Sequence, residues 1–163
     1  MRKTLTHVGA AGEARMVDIT GKGATDRIAV AAGKVKVSRA LLGLLRENAL
    51  AKGDALSAAR IAGVMAAKRA SELIPLCHPL PLSFVGIELD LEDEPPAVAI
   101  RATVRTRHST GVEMEALTAV AVAALTIYDM GKSADKAMTI DEIQLLEKSG
   151  GRSGRWKRNR REP

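Results

Sequence analysis

Aromatic side chains are almost missing from this chain: Phe84, Tyr128 and Trp156 are the full complement among 163 residues. Proteins that grip single-stranded nucleic acid stack its bases on such rings, so their scarcity argues against that class despite a net charge of +6. The charge is also poorly placed for it. Six basic residues (Arg152, Arg155, Lys157, Arg158, Arg160 and Arg161) fall within 149–163 against one acid, Glu162, which leaves the rest of the chain close to neutral. Cys77 is the only cysteine, which excludes an internal disulfide, and three histidines are too few for a zinc centre of recognisable spacing. The first 16 residues lack the apolar run of a secretory leader. The most apolar stretch, 112–130, is interrupted by Glu113, Glu115, Thr118, Thr126 and Asp129, whereas a bilayer span needs about 20 predominantly apolar residues. The expectation is a cytoplasmic protein with no membrane span, no nucleic-acid partner and no metal.

With 46% hydrophobic side chains, the chain can bury one core but is too short to divide comfortably. One domain is expected over 1–163, with 1–15 as an N-terminal arm and 149–163 as a flexible basic tail. Ile28, Val30, Val35 and Val37 fall at period two on either side of Gly33, which predicts a bent strand or a tight hairpin over 27–37. Ser38 is a good N-cap for a helix through Leu41, Leu42, Leu44 and Leu45, closed by Gly53. Asp54 caps a second helix that must stop near Pro75, because a residue before proline leaves the helical region. Alternation over 85–91 and again over 98–105, around Glu94, Pro95 and Pro96, predicts a β-hairpin. A long helix over 112–130 and a final strand or pair of strands after Ile140 complete the order β, α, α, β, β, α, β.

Counting the two adjacent helices as one crossover, this is an α+β fold, the ferredoxin-like βαββαβ sandwich, with an antiparallel sheet carrying helices on one face. The other sheet face needs cover, and the 112–130 helix is apolar around most of its circumference. A homo-oligomer is expected.

Several polar residues could carry chemistry, each with a structural reading beside it. Lys52 stands at a helix end, where the dipole favours a cation. His78 lies in LIPLCHPL, where prolines fix the backbone and orient an imidazole for proton transfer or hydrogen bonding, although a structurally bonded loop histidine has the same signature. Glu113 and Glu115 open the long helix and complement its dipole. Asp129 is more suggestive: a carboxylate at a helix C-terminus is electrostatically disfavoured, so something besides helix stability must account for it. Lys132 follows it. Lys148 begins KSGGRSG, whose exposed N–H groups and cations suit either a phosphate or a plain linker.

The segments MVDIT, KGDALSAARIAG, LIPLCHPLPLS, TGVEMEALTAVAVAALTIYDM and KSGGRSG together resemble the cyclic pyranopterin monophosphate synthase family of bacterial molybdenum-cofactor biosynthesis. The resemblance runs over about 5–154, and LCHPL followed by GVEMEALTA and ALTIYDM is very specific. It implies a lyase that converts 3′,8-cyclo-7,8-dihydroguanosine 5′-triphosphate into cyclic pyranopterin monophosphate and diphosphate. It also implies a hexamer of three dimers with active sites at dimer interfaces. The family's pocket would comprise Leu76, Cys77, His78, Glu113, Met114 and Glu115, with Arg27 and Lys148 on the triphosphate. Asp129, Lys52 and Lys132 would transfer protons, since a lysine crowded among cations has a lowered pKa suited to acid–base work. No resident cofactor is implied; Mg²⁺, where it enters, accompanies the substrate triphosphate. The competing expectation is a non-catalytic ferredoxin-like protein that binds nucleotides or nucleic acid.

Overall fold

A computed structural model describes residues 13–159; most of the arm (1–12) and the last four residues of the tail lie outside it. The first strand, β1 (Thr25–Lys36), is followed by three helices, α1 (Arg39–Arg46), α2 (Ala55–Lys68) and α3 (Ala70–Leu73). The hairpin β2 (Phe84–Asp93) and β3 (Pro96–His108) comes next, then α4 (Glu113–Gly131), β4 (Thr139–Ser149) and the short β5 (Trp156–Lys157). The sheet is antiparallel throughout and ordered β2-β3-β1-β4-β5. Its first four strands have the interleaved order of two split βαβ units, as in a ferredoxin-like fold.

The helix boundaries follow local chemistry. Ser38 Oγ accepts from Leu41 N at 3.2 Å and Asp54 Oδ1 from Ser57 N at 2.9 Å, so both expected N-caps are in place. α1 stops earlier than its leucine pattern suggested, at Arg46, because Asn48 takes a left-handed conformation (φ 52°) and turns the chain. The expected second helix is divided at Arg69 into α2 and α3.

Gly33 bends no hairpin. β1 pairs continuously with β3, while its pairing with β4 shifts register beside Gly33, so the glycine marks a β-bulge. A side chain there would sit 2.7 Å from Val120 Cγ1 of α4, which shows how closely helix and sheet approach.

One sheet face is apolar. Ala29, Ala31 and Val35 of β1 and Val98, Ile100, Ala102 and Val104 of β3 are buried under α4, whose Ala116, Ala119, Val120, Ala123, Ala124 and Ile127 are fully covered. α4 is long and apolar enough, by composition, to cross a membrane, but this apolarity is used inside the core against the sheet and α2. The opposite sheet face carries Arg101, Arg105 and Arg107, all exposed. Within the segment expected as a tail, Trp156 and Lys157 pair with Lys148 and Glu147, and Arg155 bridges to Glu147 at 2.8 Å.

Candidate functional site

α4 has a cluster of chemically capable residues at each end, and the fold explains both. Near its start, the loop after α3 is threaded through Pro75, Pro79 and Pro81 and tied to β3 by the Thr106 hydroxyl, which donates to the Pro81 carbonyl at 2.6 Å. This brings Leu76, Cys77 and His78 against Glu113, Met114 and Glu115 around a cavity of about 330 Å³. A larger cavity of about 860 Å³ adjoins it, sharing Lys22, Thr110, Gly111 and Glu113 and reaching Arg27, Lys148 and Arg152. α4 begins without a side-chain cap, so its first-turn N–H groups add partial positive charge at this edge.

Arg27, which the resemblance assigns to the triphosphate, lines the wider cavity and also braces the backbone. Its Nε donates to the His108 carbonyl at 3.2 Å and its Nη2 to the Ser109 carbonyl at 3.1 Å, fixing the turn that leads into α4. Gly150 (φ 100°) and Gly151 (φ 69°) wrap the same arginine: a side chain at Gly151 would collide with the guanidinium, and one at Gly150 with the Asp26 carbonyl. Gly150 and Gly151 of KSGGRSG are therefore required by geometry. Lys148 ion-pairs with Glu113 at 2.8 Å, and the Glu113 carboxylate folds over Gly111, where a side chain would displace it.

Glu115 is 4% exposed, and its Oε2 is buried with no hydrogen-bond partner among the described residues. Burial, reinforced by the nearby Glu113 charge, pushes its carboxyl above the ordinary glutamate range. Burial and the Glu115 charge likewise push the Cys77 thiol up, so it is a poor nucleophile.

The second cluster lies at the other end of α4. Asp129 Oδ1 accepts from Lys132 Nζ at 2.6 Å and its Oδ2 from Lys52 Nζ at 2.7 Å; Lys52 also donates to the Asp129 backbone carbonyl at 2.9 Å. Lys52 thereby satisfies one of the carbonyls that a helix end leaves open. Held by Lys132 first and then Lys52, the Asp129 carboxyl drops to about 2, and Lys132 is raised in turn. The acid that looked misplaced at a helix C-terminus is thus explained by two cations.

The expected site residues form these two groups and do not meet within one chain. α4 is unbroken, and 16 residue steps from Glu113 to Asp129 at about 1.5 Å each separate the clusters by about 24 Å. Sequence reasoning missed Lys22, Thr110 and Gly111. Lys22 lies in a glycine-interrupted segment without periodicity, and the other two immediately precede the α4 motif, so only their placement beside Glu113 gives them a role. Among the described residues, no group of three or more histidine, cysteine, aspartate or glutamate side chains is arranged to hold a metal.

Fold and site define a ferredoxin-like protein with a cation-lined cavity at one end of a core helix and a Lys–Asp–Lys cluster at the other. The chain belongs to the MoaC family, whose model matches residues 16–151. It is 58% identical over 154 residues to a cyclic pyranopterin monophosphate synthase of Thermomicrobium roseum, covering 94% of this chain and 93% of that one. Relatives of the same name from Nocardioides sp. (57% over 157 residues, 96% of each chain) and Bordetella avium (56% over 154 residues, 94% and 95%) are similar over the same length.

Proposed function

We propose that this chain is a cyclic pyranopterin monophosphate synthase, a lyase that converts 3′,8-cyclo-7,8-dihydroguanosine 5′-triphosphate into cyclic pyranopterin monophosphate and diphosphate. The observation that carries the reading is the convergence of Leu76, Cys77, His78, Glu113, Met114, Glu115, Arg27 and Lys148 on adjoining cavities, in a chain matched over nearly its whole length by relatives of that name. Lys22, Lys148 and Arg152 line the wider cavity and neutralise the triphosphate, while Arg27 holds the turns that shape it. His78 and Glu115 face the base end, where burial raises the Glu115 carboxyl and favours its hydrogen-bond-donating form. Lys52, Lys132 and Asp129 form the proton-handling cluster.

The chain acts as one domain in the cytoplasm, where its single cysteine stays reduced. It assembles as a hexamer of three dimers, with each active site shared between two chains. The 24 Å separation of the clusters, estimated from the helix rise at about 1.5 Å per residue, favours such sharing. The half-buried Ile28, Val30 and Ala32 on the arginine-bearing sheet face, and the exposed Ile61, Met65 and Leu125 on the helices, are apolar surface that assembly would cover. The test is incubation of the purified protein with the cyclised nucleotide. Diphosphate release supports the synthase; binding without release identifies a non-catalytic nucleotide-binding protein instead.

A further inference from the structure

Asp129 is placed unlike a group that must collect a proton. Both carboxylate oxygens are occupied, one by each lysine ammonium, and its own backbone carbonyl takes a second bond from Lys52. Lys52 comes from the α1–α2 connection and Lys132 from the end of α4, so one carboxylate joins two segments of the chain. Tyr128 is the other titratable group acting on Lys132. Without a negative charge between them, the two ammonium groups that share this carboxylate would repel.

We infer that Asp129 is a positioning residue, a counter-ion clamp that holds Lys52 and Lys132 together in their protonated forms, and that it does not carry a proton in the reaction. The cluster therefore enters the reaction as a proton donor: an ammonium N–H gives its proton to a substrate nitrogen or oxygen and becomes a neutral amine, while the Asp129 carboxylate stays ionised. The direction of the two titrations agrees, Asp129 being lowered and Lys132 raised. This inference rests on the synthase reading for its kinetic consequences but not for the clamp itself.

Asp129→Asn tests it, since the amide keeps an acceptor oxygen and removes the charge. The side chain is 56% exposed, so the substitution leaves the core untouched, and circular dichroism checks the fold. Two readouts are needed. In ¹⁵N NMR of lysine side chains, Lys132 of the unsubstituted protein should titrate above its ordinary value of 10.5, and in the variant it should titrate lower than in the parent. In diphosphate release, the variant should lose less than about 10²-fold, the smallest loss expected when a proton-transferring group is removed, with the alkaline limb of its pH profile moved to lower pH. An unchanged Lys132 titration overturns the clamp. A loss of about 10²-fold or more at every pH overturns the positioning role and makes Asp129 the proton carrier. If the unsubstituted protein releases no diphosphate, the synthase reading fails, while the NMR measurement still decides the clamp.

Discussion

A carboxyl buried without a partner is costly once it ionises, and Glu115 is such a group at the mouth of the cavity. Its folded-state pKa lies above the ordinary 4.5, so the stability associated with its protonated form is complete below that value and is lost as pH rises through the folded pKa. Glu115→Gln cannot ionise and escapes that loss. The melting temperature of the variant minus that of the parent should therefore become more positive as the pH rises above about 4.5, in matched thermal scans. A flat or falling difference would place the Glu115 carboxyl in a solvated setting. Turnover should fall in the same variant if the carboxyl proton donates to the substrate. The sequence made Glu115 visible through GVEME but could not show its burial, because a glutamate in the first turn of a helix is more often a solvated partner of the dipole. Arg27 was legible only through the family resemblance, and the sequence could not show that it also braces a turn through the carbonyls of His108 and Ser109.

At the level of elements, alternation and capping carried most of the fold. The β2–β3 hairpin, the N-caps of α1 and α2 and the position of α4 all follow from period-two or period-3.6 patterns and from Ser38 and Asp54. The end of α1 and the break at Arg69 did not, since the first is set by the left-handed backbone of Asn48 and the second by a non-helical Arg69, neither of which the apolar pattern marks. Gly33 is the most informative case. Its neighbours read equally well as a bent strand or a hairpin; the choice is made by β3, which pairs along the entire length of β1. Gly33→Ala would set a methyl group 2.7 Å from Val120 Cγ1, in a core where Val120 is fully buried. Such overpacking should destabilise the protein by about 1–3 kcal/mol, measurable as a shift in the denaturation midpoint with an unchanged slope. A variant as stable as the parent would mean that α4 rides more loosely on the sheet than its packing indicates.

At the scale of the whole molecule, the separation of the two clusters decides how many chains a site needs. Chains carrying Glu115→Ala and chains carrying Lys132→Ala should each be inactive alone. Unfolded and reassembled together, they should regain turnover, because some interfaces then unite two intact halves. Mixed assemblies that form yet remain as inactive as their parents would show that no site is shared. The separation was legible in the sequence, through an uninterrupted helical pattern between Glu113 and Asp129, but the partner was not, since which faces of two folded chains meet is not written in the periodicity of either.

α4 is also a ruler with a phase. Each residue added to a helix lengthens it by about 1.5 Å and turns everything beyond it by about 100°. One alanine inserted after Ala121 would therefore swing Asp129 and Lys132 away from Lys52 and turn Ile127 out of the core, although alanine itself suits a helix. A glycine inserted between Glu94 and Pro95, at the tip of the hairpin, would only enlarge a surface turn. The first insertion should abolish both soluble expression and turnover, and the second should spare both. The length of α4 is therefore as much a part of the site as the side chains it carries.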